Sequence, residues 1–367
     1  LFNAHEMVAR AMLRETLLGS EIPRLDRILL LGAGWKGRMG EALVLRAMKD
    51  RWIDSAGAGP LAPLEVHVYD REASDWAKCL NDRLEDAFRP LCKLVPHEGS
   101  DYRFGFCERR KSIEETDFHA AFVCLGDEAY AAIQAEQLRK ILPERVPIVV
   151  RVAEESSGFG ALLHQPNSGG LGPNIFAVGS DDRVYDLVSS MNPMVEMFAQ
   201  VLHQDYLQQT QRKIQEALAK NDTATAETFA RKKAFVPWRE LSEEDQEKNR
   251  ALANRMQAHL SVPAVEDLPA RQFHVEYSSD ELLEPWNAYK LPPRQIEALA
   301  IEEHRLWSEH VHNLERTKNG GSSPAVPTHP NLVPWEKLDA STQDYDRNII
   351  RRLPYLFAKA DYRVVES

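Results

Sequence analysis

The chain has 367 residues, 43% hydrophobic and 28% charged, with a formal net charge of −11. That length exceeds one small core and predicts two or three domains, while the acidic balance argues against nucleic acid as a partner, because phosphate binding needs a basic face. The four cysteines (Cys79, Cys92, Cys107, Cys124) form no C-x-x-C pair, so zinc spacing is absent and reduced thiols are expected; no apolar run of 18 residues and no signal peptide is found.

In chain order, His5–Glu15 has the apolar spacing of an amphipathic helix. From Arg27 the pattern alternates strand and helix. RILLLG (27–32) predicts a buried strand and 40–52 a helix, with an insertion-like loop over 54–63. LEVHVYD (64–70) predicts a second strand ending in an acid, and YRFGFCE (102–108) an additional one. HAAFVCLG (119–126) predicts a strong strand, followed by a helix over 127–142 and strands over 146–152 and 174–179. Strands separated by helix-length segments imply a parallel, doubly wound sheet.

Gly32-Ala33-Gly34-Trp35-Lys36-Gly37 is G-x-G-x-x-G directly after a strand and before a helix. The first glycine permits a tight turn and the second lets a pyrophosphate approach the backbone. The third permits close helix–strand packing, and the helix N-terminus offers N–H donors to the anion. Asp70 ends the second strand, where a ribose-binding acid belongs, with Arg71 beside it. Trp35 and Lys36 stand where small residues are usual, and Lys36 and Arg38 either hold phosphate or are solvated.

The segments LLLGAGWKGRMGEAL, VHVYD, FVCLGDEAYAAIQAEQLRK and VPIVVRVAEE together resemble the TrkA-N domain, the Rossmann module attached to potassium channels and transporters. The match covers about residues 5–190, and MVARAMLRE resembles the connector that follows a membrane pore in channel versions. The resemblance implies NAD(H) or another adenine nucleotide across the glycine loop. Gly32, Gly34, Trp35, Lys36, Gly37, Arg38, Asp70, Arg71, Leu125, Gly126 and Asp127 would line that site.

From about Asn192 strand signals give way to helical ones, and the chain repeats itself. Residues 235–255 align without a gap on 332–352, with seven of 21 positions identical, among them the V-P-W of Trp238 and Trp335. Ahead of each V-P-W lies a helix carrying His-x-x-aromatic, His203/Tyr206 in the first copy and His304/Trp307 in the second. Self-similarity of this kind marks one unit used twice. EEHRLWSEHVHNL, HPNLVPWEKL and QDYDRNIIRRLPYLF in the second copy are similar to the RyR domain of ryanodine receptors, over roughly 275–363. The first copy diverges, lacking Glu before His203 and His-Pro before its V-P-W. The tryptophans are either packing anchors or platforms for a purine. His203, Tyr206, Trp238, His304, Trp307, Trp335 and Arg347 form a candidate second ligand site, and the copies as a pair can hold one nucleotide.

The expected organisation is therefore a connector helix (1–20), an α/β doubly wound Rossmann domain (21–190), and a mainly α-helical tandem-repeat part (191–268 and 269–367). Asp181–Pro193 is the expected hinge. The resemblances imply a cytoplasmic nucleotide-sensing module, without catalysis or metal, controlling a potassium channel or transporter as a homodimer or higher homo-oligomer. In that arrangement a pore domain lies upstream in the same chain and this part is the cytosolic portion of a membrane protein. The alternatives are an NAD(P)-dependent oxidoreductase, or a soluble nucleotide sensor or adaptor unconnected to a channel. Against the oxidoreductase, no second α/β catalytic domain and no His–Asp or Tyr-x-x-x-Lys constellation follows the sheet.

Overall fold

The computed structural model describes residues 4–19, 25–33, 38–58, 61–84, 89–98, 108–154, 158, 173–179, 193–278, 289–318 and 329–367. The chain divides into two compact units. The first comprises Leu1–Pro193 with Gln204–Leu241, and the second Met194–His203 with Ser242–Ser367.

The first unit is built on six parallel strands: β1 (Arg27–Leu31), β2 (Leu64–Asp70), β3 (Cys92–Glu98), β4 (Ala120–Val123), β5 (Ile148–Val152) and β6 (Ile175–Gly179). Their order is β3-β2-β1-β4-β5-β6, so the sheet grows outward in both directions from the β1–β4 neighbours. In β1, Ile28 to Leu31 are all buried, as is every residue of β4. A strand apolar on both faces needs cover on both, which flanking helices supply. The helices are α1 (Ala4–Gly19), α2 (Arg38–Ala58), α3 (Ala73–Arg83), α4 (Glu108–Glu115) and α5 (Glu128–Ile141).

Helix α1 is an integral part of this unit. Its Val8, Ala9 and Met12 are fully buried, and it packs on α2, β5 and β6. Helix α2 continues to Ala58, so the first half of the expected 54–63 loop is helical, with Ala56 and Ala58 the helix-favouring residues there. Inside α2, the buried Arg51 donates to the carbonyls of Leu25 and Ala62 and to Asp26, fastening the helix to the segments before β1 and β2. Strand β3 was not foreseen. It carries Pro96 and lacks an apolar run, as suits an edge strand, where a missing N–H costs no ladder bond. The strand expected at 102–108 and the hinge expected at 181–193 fall almost wholly outside the described residues.

The helical part begins with α6 (Pro193–Ala219), whose residues are shared between the two units. In the first unit α7 (Thr223–Ala230) brings Ala226 and Phe229 against Ile214, Ala217 and Phe235. The second unit contains α8 (Glu243–Ala258), α9 (Pro293–Lys318) and α10 (Ala340–Lys359). It also holds a small antiparallel sheet, β7 (Ser261–Val262), β8 (Arg271–Tyr277) and β9 (Tyr362–Glu366), in that order. Strand signals therefore do not end at Asn192. RQFHVEY in β8 buries Phe273 and leaves Gln272 and His274 exposed, the alternation of a half-buried strand. Phe198 meets Phe357 edge-on at 4.9 Å in the core of this unit. Among the described residues, no helix is long and apolar enough to cross a membrane.

Candidate functional site

In an open parallel sheet, ligands gather at the carboxyl ends of the strands where the order reverses, here between β1 and β4. Three strand ends are fastened together at that point. The Gly32 N–H donates to Tyr69 O at 3.3 Å and the Cys124 N–H to Leu31 O at 2.8 Å, so β1, β2 and β4 end side by side. Gly32 adopts φ +86°, and a Cβ there would lie 2.7 Å from Leu125 Cδ2 and 3.2 Å from the Cys124 carbonyl. Only glycine fits, because both the backbone angle and the space forbid a side chain.

A close helix–loop approach is made at a glycine that the sequence reading did not single out. A Cβ at Gly40, in the first turn of α2, would approach Ala33 Cα to 3.1 Å, so α2 lies against the loop because position 40 is glycine. Gly34, Trp35, Lys36 and Gly37 lie outside the described residues. Arg38 opens α2 and is exposed, as is Arg71. Asp70 is buried at the end of β2 and accepts the Glu72 N–H at 3.1 Å. Asp127 is exposed and caps α5 by accepting the Tyr130 N–H at 2.9 Å, while Leu125 is buried under Gly32 and Gly126 faces open space. Burial pushes the thiols of Cys92 and Cys124 up to about 12, so neither is a thiolate near neutral pH.

The second set of candidates is dispersed. His304, Trp307, Trp335 and Arg347 come together in the second unit, which also holds His203; Tyr206 and Trp238 belong to the first unit. His203 is buried, whereas Tyr206 and Trp238 are half-buried. Arg347 donates from Nε to Glu297 Oε2 and from its Nη2 to Glu297 Oε1 at 2.9 Å and to Gln343 Oε1 at 3.2 Å. Its guanidinium also covers the Trp335 ring at 5.4 Å. Trp335 is buried and donates its indole N–H to the same Glu297. These two side chains spend their polar groups inside the protein.

His304 Nε2 lies 2.8 Å from Val333 O, fastening α9 to the V-P-W segment. Trp307 is half-buried; one face stacks toward His304, with ring centroids 5.6 Å apart, and His329 meets it edge-on at 4.9 Å. Of the two tryptophans brought together in the second unit, Trp335 is buried and Trp307 half-buried.

The acids that organise this region, Glu196, Glu297 and Glu303, were not among the sequence candidates. Arg250 Nε donates to Glu196 Oε2 at 2.7 Å, and Arg250 Nη2 reaches Gln246 at 3.2 Å, which reproduces the Arg347–Glu297–Gln343 arrangement atom for atom. The signal for Glu196 and Glu297 was available: each stands seven residues before its histidine, His203 or His304. The short helical turns Trp238–Glu240 and Trp335–Lys337 follow prolines of nearly equal backbone angles, φ −52° and −54°. Glu303 is 2% exposed and accepts from Arg255 at 2.9 to 3.2 Å, with His259 Nε2 at 2.8 Å.

No protein-family model and no curated protein matches the chain. Among the described residues no group of three or more His, Cys, Asp and Glu side chains is arranged to hold a metal ion.

Proposed function

We propose that this chain is a nucleotide-sensing regulatory module. It binds NAD(H) or another adenine nucleotide at the carboxyl ends of β1, β2 and β4 and passes the bound state to an ion channel or transporter. The observation that carries the reading is the Gly32 turn. A residue with φ +86°, packed without room for a side chain, brings the backbone to the β1–β4 switch point, with the Asp70 carboxylate closing the neighbouring strand. A pyrophosphate belongs against such a turn and a ribose beside such an acid. Among the described residues at this edge, the raised thiol of Cys124 and the helix-capping Asp127 are no ready nucleophile or base, which favours binding over turnover.

The partner follows from the likeness of the sheet segments to TrkA-N modules and of the 275–363 segment to RyR domains. In this reading the helical part is a tandem of one unit, supported by the matching Arg–Glu–Gln triads and the matching V-P-W turns. Trp307 is its candidate ligand platform, and the assembly is a homo-oligomer.

The test is calorimetric titration with NAD+, NADH, ATP and ADP. One of them binds the wild-type chain, and Gly34→Asp abolishes that binding while circular dichroism and the thermal midpoint stay unchanged, because an acid side chain blocks the pyrophosphate. Equal affinity of Gly34→Asp for every nucleotide removes the assignment. Steady oxidation or reduction of the nicotinamide with any of a panel of small alcohols and aldehydes replaces the sensor with an oxidoreductase.

A further inference from the structure

The second helical segment holds acids that the first does not. Aligned on the two histidines, Leu202 stands opposite Glu303; aligned on the two V-P-W turns, Asn249 stands opposite Asp346. Asn249 is a neutral amide whose Nδ2 donates to the Asp245 carbonyl at 2.8 Å. Asp346, with a side chain only 13% exposed, accepts no hydrogen bond among the described residues; His304 Nδ1 lies 3.8 Å from its Oδ2.

The ring orientation of His304 makes this contact informative. Its Nε2 faces the Val333 carbonyl, which can only accept, so Nε2 carries a hydrogen. A neutral ring then points the lone pair of Nδ1 at Asp346. A bare lone pair and a carboxylate repel, so the contact is stable only with one proton on the acid or on the ring. The surroundings disfavour a second free carboxylate. Glu303 faces Asp346 from α9 together with His304, and Arg255 faces it from α8 but is engaged with Glu303, behind which lies His259.

We propose that Asp346 and His304 form a proton-holding latch in the second helical segment, tying α9, α10 and the Val333 carbonyl together when protonated and loosening when the proton leaves. Burial, and then the charge of Glu303, push the Asp346 carboxyl up to about 7. The folded-state value thus lies above the value of an unfolded aspartate, about 4. The stabilisation is fully present below about 4 and is lost as pH rises through about 7, at about tenfold in the opening equilibrium per pH unit while the acid is ionised only in the open form. The first segment, with Asn249, has no such dependence.

The test is hydrogen exchange of the full chain, corrected for intrinsic rates, with Asp346→Asn as the comparison. That substitution gives the second segment the amide that the first already carries. In the wild type, protection of peptides from 293–318 and 340–359 drops at least tenfold between pH 5.5 and 7.5 relative to peptides of 243–258; in Asp346→Asn the drop disappears. Direct observation of the Asp346 side-chain carboxyl by carbon NMR in the wild type gives a midpoint well above 5. A midpoint near 4, or an equal pH dependence in both proteins, overturns the latch, and the carboxyl titration decides even where the variant folds poorly.

Discussion

The two helical segments, 193–258 and 293–359, share one polar device and differ in what surrounds it. In both, an arginine late in the chain of the segment reaches back to a glutamate on its first helix and to a glutamine one turn away. At two aligned positions beside that device the first segment has Leu202 and Asn249, while the second has Glu303 and Asp346, which face Arg255 of α8, His259 and His304. The shared triad is thus what the architecture requires, and the differing neighbours are where the chemistry is free to vary. Buried charges rarely add stability over an apolar alternative, so Glu303 and its partners are better explained as a specialisation of the second segment than as its foundation.

The strongest way to break this comparison is at the aligned pair Leu202 and Glu303. Glu303→Ala leaves Arg255 and His259 without their shared acceptor in a buried place, and it should cost about 3–5 kcal/mol. Leu202→Ala removes buried apolar volume and should cost about 2–4 kcal/mol. The difference is in kind as well as size. Glu303→Leu restores the aligned residue yet still strands Arg255, so it should remain destabilised, whereas the double variant Glu303→Leu with Arg255→Met should recover most of the loss. Denaturant unfolding followed by far-ultraviolet circular dichroism measures all four; full stability in Glu303→Leu alone would mean that Arg255 finds another acceptor.

Much of the sheet was legible in the sequence and much of this polar network was not. The extent of β2 was predicted residue for residue, because Leu64, Val66 and Val68 alternate with polar residues in a strand pattern that ends at an acid. Strand β3 escaped because an edge strand tolerates Pro96 and needs no continuous apolar run. Strand β8 escaped because its alternation sits inside a region dominated by helical periodicity. Gly40 was missed for a different reason: its task is set by the approach of Ala33, a contact that local pattern does not encode. Glu303 and Asp346 belong to the same class, since helical periodicity places an acid on a face without naming its neighbour on another helix. Trp335 and Arg347 looked like ligand groups from their types alone, and the structure finds both satisfied by Glu297.

The next sharpening concerns the shared triad itself. If it is common architecture, removing either glutamate must hurt, and the two losses should scale with burial. The Glu196 side chain is 10% exposed and that of Glu297 37%. Charge-assisted hydrogen bonds weaken as water competes, so Glu196→Gln should cost about 2 kcal/mol and Glu297→Gln about 1 kcal/mol. The Arg347 guanidinium holds the Glu297 carboxyl below the usual carboxylate range. For Glu297 the folded value lies under the unfolded one, so its contribution is present above the ordinary glutamate range and fades as pH falls through its lowered value. The cost of Glu297→Gln should therefore shrink in acid, a direction opposite to that of Asp346, and urea midpoints measured at pH 3.5 and 7 distinguish the two.

The smallest expected effect on stability is at Trp307. The ring is half-buried, stacks loosely toward His304 and meets His329 edge-on, and its removal takes away contacts rather than a core anchor. Trp307→Ala should lower stability by about 1 kcal/mol, well under the cost of removing the buried Trp335, which also breaks the bond to Glu297. The same two substitutions separate fold from ligand. If the second segment stacks a purine on Trp307, Trp307→Ala loses about tenfold in affinity at a site that Gly34→Asp leaves intact, since base–aromatic stacking is worth about 1–3 kcal/mol. If Trp307→Ala binds every nucleotide as the wild type does, the second helix pair carries its tryptophans for packing alone, and nucleotide sensing rests on the β1–β4 edge.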